Sequence, residues 1–245
     1  FWDDDVTPRG GGLTYSPTIG KGRFTLNAGV YTLPVGMRDY TGDAASGQLV
    51  WAQDGERLGL TLAAGIMAID ADRNPDDYAA NLLLQDNAFR DYQIWVAQAQ
   101  LRFNALPEPF LVGLDLIHNA EDYADDDPSV FTAFHRDDTE GYVVQAVYGG
   151  VSERGDWLAG LYYVHIEALA VHSSYAQDDW VRWGSSDQTA SSNLKGPEFR
   201  VGFGFGNNIN LIARLFLVRG INRDLPSDTR NQTGKRARLD LNWSF

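Results

Sequence analysis

The stretch RARLDLNWSF, residues 236–245, decides how this chain is read. Its odd positions, Ala237, Leu239, Leu241, Trp243 and Phe245, are apolar, and its even positions, Arg236, Arg238, Asp240, Asn242 and Ser244, are polar or charged. Successive side chains of a β-strand leave on opposite sides, so this run builds a ribbon with one apolar and one polar face. The same period recurs upstream. Ile209, Leu211, Ala213, Leu215 and Leu217 alternate with Asn210 and Arg214; Phe199, Val201, Phe203 and Phe205 alternate with Glu198, Arg200, Gly202 and Gly204. Leu58, Leu60, Leu62, Ala64 and Ile66 stand against Gly59, Thr61, Ala63 and Gly65.

Eleven segments follow this rule, near 11–19, 23–34, 46–53, 57–69, 92–103, 110–120, 141–151, 156–169, 196–206, 209–220 and 235–245. Most run to about 9–12 residues, the length a tilted strand needs to cross hydrocarbon, whereas strands of soluble sheets average about 5–6. Short turns at 20–22, 54–56, 104–109, 153–156 and 206–208 take turns with long polar loops at 35–45, 70–91, 121–140, 170–195 and 221–234. All tight turns then lie at one end of the strands and all long loops at the other.

Composition agrees. Of 245 residues, 44% are hydrophobic, with 25 Gly, 7 Trp, 11 Tyr and 12 Phe, a load that favours strands and turns. No run approaches the ~18 apolar residues of a membrane-spanning helix. Cysteine is absent, so neither a disulfide framework nor a thiolate metal site is available. Thirty-three acidic against 20 basic residues give a net charge of −13, which argues against nucleic acid as a partner.

The expected fold is a single domain over 1–245, an antiparallel transmembrane β-barrel of about 12 strands, more if the chain is part of a larger barrel. Eleven segments are an odd number and bacterial single-chain barrels are even, so FWDDD (1–5) reads as the tail of an upstream strand and an N-terminal portion as missing. A soluble sandwich also alternates, with its apolar face inside. Three features favour the barrel: small residues on the polar side, such as Gly59, Ala63, Gly65, Gly113, Gly149, Gly202 and Gly204; aromatics at strand ends; and very few charges on the apolar side. The end aromatics are Tyr15, Tyr31, Trp51, Tyr92, Phe103, Phe110, Tyr142, Tyr148, Trp157, Trp243 and Phe245.

RLDLNWSF (238–245) resembles the terminal strand of Gram-negative outer-membrane proteins, in which alternating apolar residues and a final Phe are read by the barrel-assembly machinery. Leu239, Leu241, Trp243 and Phe245 are the positions that match. FWDDDVTPRGGGLTYSP (1–17) is similar to a segment inside members of a proteobacterial porin family. These resemblances imply the C-terminal barrel portion of an outer-membrane porin, with short periplasmic turns, long external loops and passive diffusion of small hydrophilic solutes or ions. Outer-membrane lipid, lipopolysaccharide and the assembly machinery are the implied partners, and a homo-oligomer is compatible with all of this. No cofactor is implied.

Residues lining such a pore are those on the polar side. The expected set is Arg102, Asp115, Gln145, His165, Glu167, Glu198, Arg200, Arg214, Arg238 and Asp240, with Gln98, Gln100 and Arg236 beside them. Arg200, Arg214 and Arg238 facing Glu198, Asp240 and Glu167 would set a transverse field across a lumen. The same charges would pair off in a barrel too narrow to conduct, since small barrels are filled by side chains. Acidic loops at 68–77, 121–128, 135–140 and 175–180 suit cation attraction or calcium, yet none has the spacing of a calcium loop, and solvated charge accounts for them.

Residues 76–90 read as a helical turn or two, and WVRWG (180–184) as tryptophans needing cover. A catalytic role finds little support. No G-x-S-x-G elbow is present, and Asp115 and His118, three apart in a strand, fall on opposite faces. Metal is not expected either. Two other readings stay open: a non-conducting structural or adhesive barrel, and a soluble carbohydrate-binding β-protein.

Overall fold

The computed structural model describes residues 8–35, 39–71, 90–123, 130–173, 175–180, 191–222 and 233–244. Within them the chain forms a single antiparallel sheet of twelve strands and almost no helix. The strands are β1 (Arg9–Tyr15), β2 (Thr18–Ile19), β3 (Gly22–Val35), β4 (Asp39–Gln53), β5 (Leu58–Ala71) and β6 (Tyr92–Phe103), then β7 (Phe110–Asn119), β8 (Glu140–Gly149), β9 (Trp157–Ile166), β10 (Leu194–Gly206), β11 (Ile209–Gly220) and β12 (Thr233–Trp243). Between β7 and β8 lies one helix, α1 (Val130–His135), and Asp178–Trp180 makes a 3-10 turn. Every alternating segment is a strand, because each presents an unbroken period-two pattern and ends at a Gly, Asn, Asp or Pro turn. The first segment breaks into β1 and β2 around Pro17, and the expected loop at 35–45 is mostly strand, with Val35 paired to Asp39 and Pro34 to Tyr40.

Neighbours in sequence are neighbours in space, in the order β1-β3-β4-β5-β6-β7-β8-β9-β10-β11-β12, with β2 beside β3. Directly opposed residues share a face, so the register lets one face be traced across the sheet. Leu26↔Leu49, Leu62↔Ala99, Ala99↔Leu114, Leu161↔Phe199, Leu215↔Ala237 and Leu211↔Leu241 belong to one face. On the other lie Asn27↔Gln48, Gln98↔Asp115, Arg200↔Arg214 and Arg214↔Arg238.

The apolar face is uncovered from end to end: Leu13 is 72% exposed, Val201 60%, Leu241 70% and Trp243 68%. A monomeric soluble protein rarely shows apolar patches beyond a few hundred Å². Aromatics ring this face at the short-turn end. Phe24 pairs with Trp51, Phe103 with Phe110 and Phe110 with Tyr148, while Trp157 pairs with Phe203. Rings in this band touch, Phe103 to Phe110 at 6.0 Å and Tyr148 to Trp157 at 5.4 Å between centroids. At the long-loop end, charge returns to the same face in Lys195 and Arg219, with His165 beside them, paired in register across β9, β10 and β11. Tyr31 and Tyr92, expected in these bands, turn to the opposite face instead.

The buried core sits on the polar face, at its long-loop end, where Tyr92, Ile94, Ile117, Val164, Ile166, Phe216 and Val218 meet Ala170, Val171, Tyr175, Ala176 and Trp180. This connection between β9 and β10 also fixes the curvature. Tyr175 and Ala176 line one cavity with Asn27 of β3, and three residues later Asp179 is bonded to Arg238 of β12. Laid flat, β3 and β12 would stand nine strand spacings, about 43 Å, apart at ~4.8 Å each, while three residues of chain reach about 10 Å. The sheet therefore curls strongly around the face that carries this connection. It does not close: no pairing joins β1 to β12 among the described residues, and with eleven strands on the path the two edges run in the same direction.

The β10–β11 register shifts between Gly204 and Gly206; upstream of that shift, where Lys195↔Arg219 and Glu198↔Phe216 keep one register, the closest approach of β10 to β11 is at Gly196. Its φ of +154° and a Cβ position 2.0 Å from the Leu217 carbonyl oxygen leave no room for a side chain. Gly196→Ala is expected to cost about 1–3 kcal/mol, seen as a lowered midpoint for unfolding of the detergent-solubilised protein, whereas Gly150→Ala, which meets nothing within 4 Å, leaves it within error.

Candidate functional site

Two neighbouring features of the polar face form the candidate site: a charged wall on β10–β12 and a cavity on β3–β7, divided by residues 171–173 and 175–180. The wall follows from alternation, which sends Glu198 and Arg200 of β10, Arg214 of β11, and Arg236, Arg238 and Asp240 of β12 to one side. Arg200 is opposite Arg214 and Arg214 opposite Arg238, so three guanidinium groups stand in a row across adjacent strands. Like charges so placed repel, and the structure answers with three carboxylates.

The central one is Asp179, 3% exposed. Arg238 Nη1 donates to both its oxygens, at 2.7 and 2.8 Å. Arg236 Nη2 lies 3.3 Å from the same carboxylate and Arg214 Nη1 3.4 Å. Asp240 takes Arg238 Nε at 2.6 Å and faces Arg214 Nε at 3.3 Å. At the end of the row, nearly buried Glu198 accepts from Arg200 Nε at 2.8 Å, and the Arg200 guanidinium lies 4.4 Å over the Tyr162 ring. Trp180, next to Asp179, packs edge-on against Phe216 at 5.2 Å, so an ion cluster and an aromatic contact hold the turn together.

The segment is anchored at its base. Asn119 Nδ2 donates to the Leu169 carbonyl at 2.8 Å and to the Tyr123 hydroxyl at 2.9 Å, and its Oδ1 accepts from Gln93 N and Glu121 N. Ser192 donates to the Ala168 carbonyl, and Asn193 and Asn222 exchange side-chain and backbone bonds. Behind them His135 Nδ1 lies 2.6 Å from Asp138, which also receives the Asn222 amide. Burial pushes the Tyr123 and Tyr175 hydroxyls above their ordinary pKa.

The cavity, about 450 Å³, is lined on the sheet side by Asn27, Tyr31, Gln48, Gln98 and apolar residues of β5–β7, and on the other by Val171, His172, Tyr175 and Ala176. The His172 ring stacks on Tyr175 at 4.3 Å and lies 5.0 Å from Tyr92. Gln98 Nε2 donates to Asp115 at 2.8 Å and Asn27 Nδ2 to Gln48 Oε1 at 2.9 Å. Closer to the short turns a second space of about 460 Å³ is lined by Arg102, Gln145 and Tyr162.

Of the expected set, Arg102, Asp115, Gln145, Glu198, Arg200, Arg214, Arg238 and Asp240 share the polar face; Arg214, Arg238 and Asp240 form one cluster with Arg236 and Asp179, and the Glu198–Arg200 pair stands beside it. His165 does not belong with them. It has the parity of Trp157, Leu161 and Tyr163, lies on the apolar face, and stacks flat on Tyr142 at 5.2 Å. β9 ends at Ile166, so Glu167 leaves the sheet, 3.8 Å from His165 and accepting from Glu140 N at 2.8 Å. Neither reaches the arginines.

Asp179 is the residue that sequence reasoning missed: it sits in an acidic stretch read as solvated. The signal available was its setting. Ala168, Leu169, Ala170, Val171, Tyr175, Ala176 and Trp180 are more apolar than an exposed connection should be, and all are buried. Leu239, Leu241 and Trp243 lie exposed on β12; Phe245, FWDDD and nearly all of 76–90 and 180–184 fall outside the described residues. Among the described residues no group of three or more His, Cys, Asp or Glu side chains is placed to hold a metal ion.

Comparison with models of protein families, with curated proteins and with solved structures finds no match.

Asp179→Ala removes the carboxylate shared by Arg214, Arg236 and Arg238. Removing a partner of a fully buried pair costs about 3–5 kcal/mol, and the part-exposed guanidinium groups bring the expected loss down to about 1–3. Hydrogen exchange should rise in 171–180 while β3–β7 stay protected; equal protection in variant and wild type would show that the cluster does not hold the segment.

Proposed function

We propose that this protein is an integral outer-membrane β-barrel that serves as a porin, passing small hydrophilic solutes across the membrane. The observation that carries the reading is the distribution of side chains over the two faces. An apolar face exposed along the whole sheet, banded by aromatics near the short turns and by charge near the long loops, fits a lipid-facing wall. A soluble sheet would bury that face, since each exposed leucine there forgoes about 1.5–3 kcal/mol of burial. The opposite face, polar and glycine-rich, suits the lining of a water-filled passage.

Closure is part of the proposal. With both edges running the same way, antiparallel closure takes an odd number of further strands in the seam between β12 and β1. The exposed, alternating Leu239, Leu241 and Trp243 on the β12 edge suit an assembly signal, and the rim charges suit contact with lipopolysaccharide.

A second reading has its own support. Residues 168–173 and 175–180 occupy the space enclosed by the curl and are fixed to the wall at Asp179, as expected of a barrel that is plugged and serves as a structural element.

Conductance separates the two. The purified protein, dispersed only in detergent, is expected to produce stepwise currents in planar bilayers. Replacing Arg214, Arg236 and Arg238 together by Gln should shift the reversal potential in a salt gradient toward cations. Insertion without current would favour the plugged barrel; a protein monodisperse in buffer without detergent would remove the membrane reading altogether. Leu215→Arg, in the middle of the apolar face, should cost about 2–4 kcal/mol in the bilayer-inserted state.

A further inference from the structure

The two halves of the polar face differ in electrostatic character. Every charge of the wall described above lies on β10–β12 or on Asp179, and there four arginines, Arg200, Arg214, Arg236 and Arg238, are met by Glu198, Asp179 and Asp240. The cavity on β3–β7 has no Asp, Glu, Lys or Arg among its lining residues. In their place it has the amides of Asn27, Gln48 and Gln98 and the rings of Tyr31, His172 and Tyr175.

We propose that this cavity is a binding subsite for a neutral, polyhydroxylated solute of the carbohydrate class. The amides supply the polar half of the argument. Gln48 gives its oxygen to Asn27, and its Nε2 hydrogens have no partner among the described residues. Gln98 gives its Nε2 hydrogen to Asp115, and its oxygen is open in the same way. Across the small floor of Ala63 and Gly65, one wall therefore offers a donor and the next an acceptor. A hydroxyl both donates and accepts, so a ring carrying several hydroxyls satisfies both; a carboxylate cannot donate and an ammonium cannot accept.

The rings supply the other half. The stacked pair His172 and Tyr175 comes from the dividing segment and Tyr31 from the sheet, apolar surfaces suited to the C–H faces of a sugar ring. The volume, about 450 Å³, lies in the range of small-ligand sites. A charged solute would leave water for a cavity whose lining carries no counter-charge, the neighbouring Asp115 carboxylate being bonded to Gln98, and that is costly. A neutral solute does not meet that cost, and the charged wall, bound up with Asp179, acts as a clamp for the segment.

The inference rests on the porin reading for the way solute enters, while binding itself can be measured apart from transport. Glucose, gluconate and glucosamine, of similar size and different charge, are the probes. With detergent-solubilised protein, saturation-transfer difference spectra should show glucose bound and the two charged analogues not. Gln48→Met combined with Gln98→Met, similar in shape but without amides, should weaken glucose binding about tenfold, as expected for two lost hydrogen bonds. Tyr175→Ala, on the opposite wall, should weaken it independently. In reconstituted liposomes, glucose should enter several-fold faster than either analogue, and the double variant should lose that preference while keeping its potassium chloride conductance.

Currents without glucose binding, or equal binding of all three probes, would overturn the subsite and leave the porin standing. Glucose binding without any current would do the reverse. If the double variant does not fold, as judged by its β-sheet circular dichroism, Tyr175→Ala alone decides: unchanged glucose binding overturns the subsite.

Discussion

The structure depends on a division that runs through every strand: the side that faces outward is apolar, and the side that is enclosed carries the amides and the charges. This inverts the usual arrangement, in which burial of apolar side chains supplies the main driving force of folding. Most of the apolar surface here is uncovered, so the sheet must be held by other means. The backbone ladders are one, continuous from β1 to β12. The other is the small core at the long-loop end, where the β9–β10 connection returns against Tyr92, Ile117, Val164 and Phe216. That core is also the reason the sheet curls, for a chain segment of ten residues touches strands that would be far apart in a flat sheet.

The electrostatics follow from that connection. Three arginines in register on β10, β11 and β12 form a row of like charges that would drive the strands apart or stay hydrated. Asp179 enters from outside the sheet and accepts from the row at its centre, with Asp240 and Glu198 at its flanks. Cation and segment each answer the other's need: the arginines lose their mutual repulsion, and the 175–180 turn gains a fixed position that its own short 3-10 turn could not supply. On the opposite half the cavity, with no charged residue in its lining, is left with amides and rings. The asymmetry is not a matter of composition but of which strands carry arginine at polar parity.

Much of this was legible in the sequence, and what was not has physical causes. Period-two alternation located all eleven segments, because a one-residue slip moves a strand's entire apolar set to the wrong face and the pattern tolerates none. The same parity rule, applied strictly, puts His165 with Leu161 and Tyr163; reading it as lining ignored the rule in favour of its chemistry. Glu167 depended on where β9 ends, and strand ends are poorly marked by pattern. Tyr31 and Tyr92 looked like interface aromatics because they stand at strand ends, yet parity turns them to the enclosed face. Asp179 was out of reach for a different reason. Its partners lie 35–59 residues away, and no local period encodes a contact made by a connection that folds back over the sheet.

The edges remain the sharpest test of how these parts fit together. The apolar residues of β1 and β12 are as exposed as those of the central strands, Leu13 at 72% and Leu239 at 67%, so the division of faces does not fade toward the seam. In water an open edge is hydrated at little cost; in hydrocarbon each unpaired N–H or C=O costs several kcal/mol. A row of such groups along the eleven residues of β12 would outweigh the stability of an ordinary domain. On the proposed membrane reading such a sheet would have to bring its edges together through further strands, odd in number because β1 and β12 run in the same direction. The curl already points the same way, since it draws β3 and β12 toward one another around the segment that ends at Asp179.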